Sequence, residues 1–238
     1  MKQSILQLLL KARADKRPAA LLTALDDGAQ SLVVDGAATG TLPLTAELDR
    51  SVADATRDDR SRPVESQVGR VFVHVFNPPL RLVIVGAVHI AQPLAPMAAL
   101  AGYDVTVIDP RRAFASDDRF PAVTVRRDWP DEGLAALAPD HRTAVVTLTH
   151  DPKLDDPALD VALKTDAFYI AALGSKKTHA ARLDRLAALS HGPDALARIH
   201  GPAGLALGAV SPAEIAIAVM AQMTQALRRR PKAREAAA

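Results

Sequence analysis

Arg81-Leu82-Val83-Ile84-Val85-Gly86-Ala87-Val88-His89-Ile90-Ala91 is the stretch that decides the fold. An apolar, β-branched run stops at a glycine, and a helix-length segment follows as far as Gly102. Val105-Thr106-Val107-Ile108-Asp109 is a second apolar run, ending in an acid 23 positions after Gly86. Strand, tight turn, helix and strand in that order outline a unit that binds a ribose-phosphate ligand. Unpaired N–H groups and the dipole at the start of such a helix favour phosphate. The acid at the end of the second strand suits ribose hydroxyls.

The match departs from the dinucleotide fingerprint at one position. Where G-x-G-x-x-G/A is required, this chain has Gly86-x-Val88-x-x-Ala91. The second glycine normally lets the backbone approach a pyrophosphate, and Val88 places a branched side chain there. A strand–turn–helix unit is still expected, because its signals do not depend on residue 88.

Outward from this stretch the pattern divides at Asn77-Pro78-Pro79, which stops regular structure. Residues 1–79 are expected to form a small N-terminal α/β domain with its linker. Helices are expected at 2–13 and 45–58, and strands at 19–25, 31–34 and 70–76, with 39–43 a loop. Residues 80–238 are expected to form a Rossmann-like domain. Its strands fall at about 82–85, 105–108, 122–125, 144–148 and 167–172. Its helices fall at about 90–101, 131–138, 156–165 and 175–190, with a last helix at 212–228. Ser211, Pro212 and Glu214 carry the N-cap, first-turn proline and capping-box signals of that last helix. Strict alternation of this kind implies a doubly wound parallel sheet of order 3-2-1-4-5 with right-handed crossovers.

The same topology brings three loops to one rim, outside the carboxyl ends of the strands. The loop after the first strand holds Gly86, Val88 and His89. The loop after the fourth holds Thr149-His150-Asp151, and the loop after the fifth holds Gly174-Ser175-Lys176-Lys177. Asp109 and Arg111 follow the second strand. Gly174 and Ser175 before a helix, with lysines beside them, suit an anion. Each residue also has a structural reading. Asp109 before Pro110 fits a turn, Asp151 before Pro152 fits an Asx-turn, Ser175 fits a cap, and the lysines fit a solvated face. His89, His150 and Asp151 carry metal-donor atoms, but no supporting pattern accompanies them, and no metal site is expected.

Composition narrows the classes further. The chain has no cysteine, which excludes disulfides, thiolate metal sites and a cysteine nucleophile. Aromatic residues make up 3%, too few to suggest base stacking, the net charge of +2 is nearly neutral, and a basic tail is not the basic face that nucleic acid requires, so no nucleic-acid partner is expected. The basic run at 228–234 reads as a solvated end. Residues 82–103 carry no charge, but Gly86, Pro93 and Pro96 break the run, so no membrane span is expected. A short apolar N-terminal stretch without a cleavage signal, together with the missing cysteines, points to the cytoplasm.

Several motifs in order resemble one family. Gly86-Ala87-Val88-His89-Ile90-Ala91 is similar to a G-A-G-H-[VI]-A turn. Val105-Thr106-Val107-Ile108-Asp109-Pro110-Arg111, Arg119-Phe120-Pro121 and Thr149-His150-Asp151 look like further signatures of that family. Tyr169-Ile170-Ala171-Ala172-Leu173-Gly174-Ser175-Lys176-Lys177 resembles Y-I-G-x-L-G-S-[RK]-[RK]. The segments beginning at His200 and Ser211 resemble H-x-P-I-G-L-x-I-G and T-P-E-E-I-A. The series resembles the xanthine dehydrogenase accessory protein family, XdhC/CoxI, strongly over about 70–227 and weakly before it.

That resemblance implies an accessory or maturation factor that binds the molybdenum cofactor, as molybdopterin or its dinucleotide form, and is non-catalytic. It implies delivery to an apo-molybdenum hydroxylase of the xanthine dehydrogenase type, with a cysteine desulfurase involved where sulfuration accompanies delivery. The expected binding residues are Gly86, Val88, His89, Asp109, Arg111, His150, Asp151, Gly174, Ser175 and Lys176. A homodimer is compatible with the chain. The family's N-terminal G-G-C element has no counterpart here, since residues 36–43 contain no cysteine. An NAD(P)-dependent oxidoreductase, with Asp109 on ribose and His150 as acid/base, is the alternative; an adaptor that only docks onto a hydroxylase is a third reading.

Nicotinamide dinucleotides are expected to bind weakly or not at all, and calorimetry on the unmodified protein checks this. Micromolar affinity for NAD or NADP would overturn it.

Overall fold

The computed structural model describes residues 2–121 and 123–228. Beyond Arg228 the basic run lies outside the described residues, as does Ala122, where the third strand of the second unit was expected to begin. The chain divides into two compact units, Met1–Pro78 and Pro79–Ala238.

In the first unit, helix α1 (Gln3–Ala14) precedes β1 (Ala19–Ala24), β2 (Gln30–Val34) and β3 (Ala37–Gly40). Helix α2 (Ala46–Asp58), β4 (Arg62–Ser66) and β5 (Gly69–Phe76) follow. The five strands form an antiparallel sheet of order β3-β2-β1-β5-β4. Side chains alternate across a strand, so β1 serves two cores. Ala20, Leu22 and Ala24 meet Leu48, Val52 and Ala55 of α2, while Ala19 and Leu21 meet Ile5, Leu9 and Ala12 of α1. Thr45 caps α2 by accepting from the Leu48 N–H at 3.3 Å.

Two strands of this unit were not expected. Thr39 and Gly40, read as loop, pair with Leu32 and Ser31 in β3, whose residues are all exposed. An exposed edge strand carries no apolar alternation to read. In β4, Pro63 is tolerated because the strand lies at the other sheet edge, where one set of ladder bonds is not needed.

The second unit contains β6 (Leu80–Val85), α3 (Ala91–Leu100), β7 (Tyr103–Ile108), β8 (Thr124–Arg126) and α4 (Pro130–Leu137). It continues with β9 (Thr143–Thr147), α5 (Pro152–Leu163), β10 (Tyr169–Ala172) and α6 (Lys176–Ala187). The short α7 (Pro193–Leu196), β11 (Ile199–His200) and α8 (Pro212–Arg228) complete it. The six strands pair in parallel in the order β11-β10-β9-β6-β7-β8. This is the expected 3-2-1-4-5 arrangement with a sixth, two-residue strand added beyond β10.

Helices cover both faces. Leu94, Ala95 and Ala98 of α3 and Ala216, Val219 and Met223 of α8 pack on Leu82, Ile84, Val107 and Val146. Leu134 of α4, Ala158, Leu159 and Ala162 of α5 and Leu186 of α6 pack on Val83, Val85, Val145 and Ile170. The uncharged run at 82–103 is thus a buried strand, a turn and a helix. No helix among the described residues is long and apolar enough to cross a membrane.

Where β6 ends, Gly86 has φ +106°, and a β-carbon there would lie 2.5 Å from Thr149 Cγ2 and 3.3 Å from the Thr149 nitrogen. Both the backbone conformation and the space require glycine. Gly86→Ala is expected to destabilise the protein by roughly 1–3 kcal/mol, measured by denaturant unfolding. Adding Thr149→Ser relieves the contact but not the backbone strain, so it is expected to restore only part of the loss.

Candidate functional site

The strand order reverses between β6 and β9, and the loops after β6, β9 and β10 meet at that edge. Backbone bonds stitch their bases together: Leu148 N–H donates to Val85, and Leu173 N–H to Thr147. A cavity of about 520 Å3 opens here, lined by Ile90, His150, Leu173, Gly174, Ser175, Thr178 and Ile215. Its size is that of a small-ligand site.

The polar side of the cavity is the start of α6. Ser175 caps the helix by accepting from the Thr178 N–H at 3.1 Å, and its hydroxyl lies 2.9 Å from that of Thr178. The N–H groups of Lys176 and Lys177 have no acceptor among the described residues, which is usual for first-turn donors that only a ligand or water can meet. Gly174 has φ +145°, and a β-carbon there would press to 3.2 Å from Thr178 Cβ and Cγ2. The glycine thus brings the loop close onto the helix start.

The start of α3 is different. Helix α3 begins only at Ala91, without a side-chain cap, and Ala91 N–H is spent on Val88 oxygen in an intervening turn. Gly86 N–H is spent on Ile108 oxygen and Ala87 N–H on Asp109. Val88 is half-buried and packs against the core beneath α3. Gly86 and Ala87 N–H are thus unavailable to a pyrophosphate, and the Val88 side chain stands where the dinucleotide fingerprint has its second glycine.

Asp109 is fully buried, and both carboxylate oxygens are engaged. One accepts from the N–H and Nε of Arg111, each at 2.9 Å. The other accepts from Ala87 N–H at 2.8 Å and Arg111 Nη2 at 2.7 Å. Asp109 thus ties the Gly86 turn to the loop after β7 and holds Arg111, which also lies 4.5 Å over the Phe114 ring. Neither residue lines the cavity. A second cavity of about 600 Å3, lined by Arg112, Ser116, Asp118 and Arg127, lies past the ends of β7 and β8.

In the loop after β9, His150 adopts φ +62° and faces the cavity. Asp151 is exposed and accepts from Lys153 N–H at 2.9 Å as the N-cap of α5. Pro152 then takes the first helical position, where its missing N–H costs nothing, so α5 starts four residues earlier than expected. Of the expected residues, His150, Gly174 and Ser175 line one cavity, and Lys176 adjoins it at the helix start. Gly86 and Val88 shape the neighbouring turn, and His89 is exposed outside the lining. Among the described residues no group of three or more His, Asp or Glu is placed to hold a metal.

The earlier start of α5 brings in residues that sequence reasoning missed. Asp155, 1% exposed, accepts from the Thr149 hydroxyl at 2.6 Å, from Thr149 N–H at 3.3 Å and from His150 N–H at 3.1 Å. Arg182 of α6, 2% exposed, lies 3.5 Å from Asp155 and donates to Leu173 oxygen at 2.9 Å. Burial pushes the Asp155 carboxyl up; Thr149 and Arg182 pull it back only in part. Burial likewise pushes the Arg182 guanidinium down. The available signal was spacing: Ser175, Thr178 and Arg182 recur at helical intervals on one face.

A six-stranded parallel sheet with helices on both faces defines a Rossmann-like domain. The chain belongs to the XdhC family: the XdhC Rossmann domain matches residues 82–223. The chain is 31% identical over 184 residues to a protein of Bacillus subtilis named as a probable xanthine dehydrogenase component, covering 74% of this chain and 54% of that one. It is 32% identical over 148 residues to the molybdenum cofactor insertion chaperone PaoD of Escherichia coli, covering 62% and 40%. An uncharacterized Escherichia coli protein, YqeB, is 32% identical over 155 residues, covering 65% and 29%. The chain therefore spans between 29% and 54% of the length of these relatives. The crystal structure of a xanthine dehydrogenase from Bacillus halodurans shares the fold, with TM-score 0.74 at 24% identity over 98% of this chain and 66% of that one.

The pH dependence of stability at Asp109 follows from its bonds. Burial alone would raise its carboxyl, but the side chain and N–H of Arg111 and the N–H of Ala87 outweigh this and hold it below the usual range. A lowered folded value means the contribution is complete above the unfolded aspartate value of about 3.9 and is lost as pH falls through the folded one. Asp109→Asn is expected to cost roughly 1–3 kcal/mol at neutral pH. The low end is favoured because the Arg111 side chain is 36% exposed. Denaturant unfolding at a series of pH values is expected to show the gap between variant and wild type closing below about pH 4.

Proposed function

We propose that this chain is an accessory factor for a molybdenum hydroxylase of the xanthine dehydrogenase type, and that the cavity at the α6 start holds the phosphate end of a molybdenum cofactor. The observation that carries this reading is the pair of open N–H groups at Lys176 and Lys177, set behind Gly174 at the mouth of a ligand-sized cavity. The names of the B. subtilis protein and the E. coli chaperone support the class of cargo and partner. The residues fit the group. A phosphate monoester supplies the acceptors that the helix start lacks, and Ile90, Leu173 and Ile215 offer apolar surface to a flat ring system.

In this reading the chain performs no chemistry on the cofactor. Its residues bind, orient and shield it until transfer to the apo-hydroxylase, and sulfuration, where it occurs, is supplied by a cysteine desulfurase. The absence of cysteine means that no persulfide can be carried on this chain itself. Molybdopterin and its dinucleotide form both present a phosphate, so the site accommodates the shared chemistry.

Anaerobic titration with isolated molybdopterin tests this reading, with saturable binding by the wild type expected. Ile215→Trp fills the cavity from α8 and is expected to abolish binding while leaving the melting temperature near that of the wild type. Lys176 is exposed and outside the lining, so Lys176→Ala is expected to weaken binding by no more than about fivefold. No binding by the wild type would replace the carrier reading with that of a docking adaptor.

A further inference from the structure

Two buried charges lie directly beneath the cavity, and the cavity-lining residues do not account for them. Asp155 reaches up from α5 to the loop after β9, where it takes the N–H groups of Thr149 and His150 and the Thr149 hydroxyl. Arg182 reaches across from α6 to the loop after β10, where it donates to Leu173 oxygen. The pair thus meets one loop with its anion and the other with its cation, 3.5 Å apart. Leu173, Gly174 and His150, which these bonds hold or adjoin, all line the cavity.

As a source of stability the pair is poor. Arg182 Nε and Nη1 are buried and have no hydrogen-bond partner among the described residues. The ionic contact is longer than a direct charge-assisted hydrogen bond. Both charges are removed from water, and an incompletely bonded buried pair is commonly matched or bettered by apolar side chains of similar volume. What apolar side chains cannot do is accept from Thr149 and His150 or donate to Leu173. His150 adds a reason for restraint: it sits at φ +62°, a conformation that a non-glycine residue holds only when its surroundings fix it.

We propose that Asp155 and Arg182 are the positioning residues of the cavity: one buried ion pair that couples the loop after β9 to the loop after β10 and holds His150 and Gly174 in binding register. This rests on the reading that the cavity binds the phosphate end of the cofactor. Neither residue touches the ligand. They act through Thr149, His150 and Leu173, and loosening one loop loosens the other.

The test is the double variant Asp155→Leu, Arg182→Met, titrated with isolated molybdopterin under anaerobic conditions alongside thermal melting and amide hydrogen exchange. The variant is expected to remain folded but melt below the wild type, because Thr149 and His150 lose their acceptor, to bind at least about tenfold more weakly, because a site that is present but loosely held loses its function, and to exchange faster at Thr149 and His150. Arg182→Lys, which keeps the charge, is expected to recover part of the affinity. Wild-type affinity in the folded double variant would overturn the proposal. If the double variant does not fold, exchange in the unmodified protein decides: Thr149, His150 and Leu173 are expected to open with one common free energy, and separate openings would overturn the coupling. Failure of the wild type to bind molybdopterin would remove the cavity reading alone, since the exchange measurements judge the coupling without ligand.

Discussion

Where β6 meets the loop after β9, there is no room for a β-carbon, and the arrangement of the carboxyl edge follows from that contact. Gly86 lies against Thr149 at the point where the strand order reverses. Because Thr149 is held there, Asp155 beneath it has a fixed pair of N–H groups to accept from. Because Gly86 turns sharply, Ala87 N–H points at Asp109 and the next loop is tied in as well. One close backbone approach therefore sets three loops, which is how a doubly wound sheet makes an edge rigid enough to bind a ligand while the loops themselves remain short.

The charges at this edge mostly serve the protein itself. Asp109 is consumed by Ala87 and Arg111, Asp151 by the start of α5, and Asp155 by Thr149, His150 and Arg182. Buried carboxylates need such partners, since an unpaired buried charge costs far more than any contact it offers. The first two N–H groups of α6 have no acceptor among the described residues. A site built from helix N–H groups suits phosphate, whose oxygens accept from several donors at once. It does not suit a ribose diol, which needs the acceptor that Asp109 no longer offers.

Much of this was legible in the sequence, and the rest was hidden for physical reasons. The doubly wound sheet could be read because β6, β7, β9 and β10 are buried on both faces and appear as short apolar runs separated by turn residues. The start of the last helix could be read, because Ser211, Pro212 and Glu214 form a complete start signal, and Glu214 does accept from Ser211 and Val210 N–H. β3 was hidden because its residues are all exposed and small, so pairing with β2 leaves no trace in apolar pattern. At the edge, the loops that converge were legible from topology, but which charges would be spent was not. Asp151 and Asp155 differ in sequence by one helical turn, yet one is an exposed cap and the other a buried acceptor. Composition did nothing to set Arg182 apart in a helix rich in lysine and arginine. Only the position of α5 beside α6 reveals that this one side chain turns inward.

The two helix starts at the edge differ in how they are built, and the departure at Val88 is part of that difference. In the dinucleotide fingerprint, strand one runs directly into a helix whose first N–H groups stay open. Here an extra turn at residues 88–90 intervenes, Ala91 N–H is spent within it, and Val88 joins the core. The start of α3 has no side-chain cap, while the start of α6 has a serine cap, a glycine that permits close approach and two N–H groups without an acceptor among the described residues. Both helices begin at the same sheet edge. On the proposed reading, a cofactor anchored at α6 would meet Leu173, Ile90 and Ile215, which line the cavity, and not Asp109, which does not. A fold known for holding nucleotides by their ribose can in this way hold a different phosphate-bearing ring system, with the old acid retained as a strut between two loops.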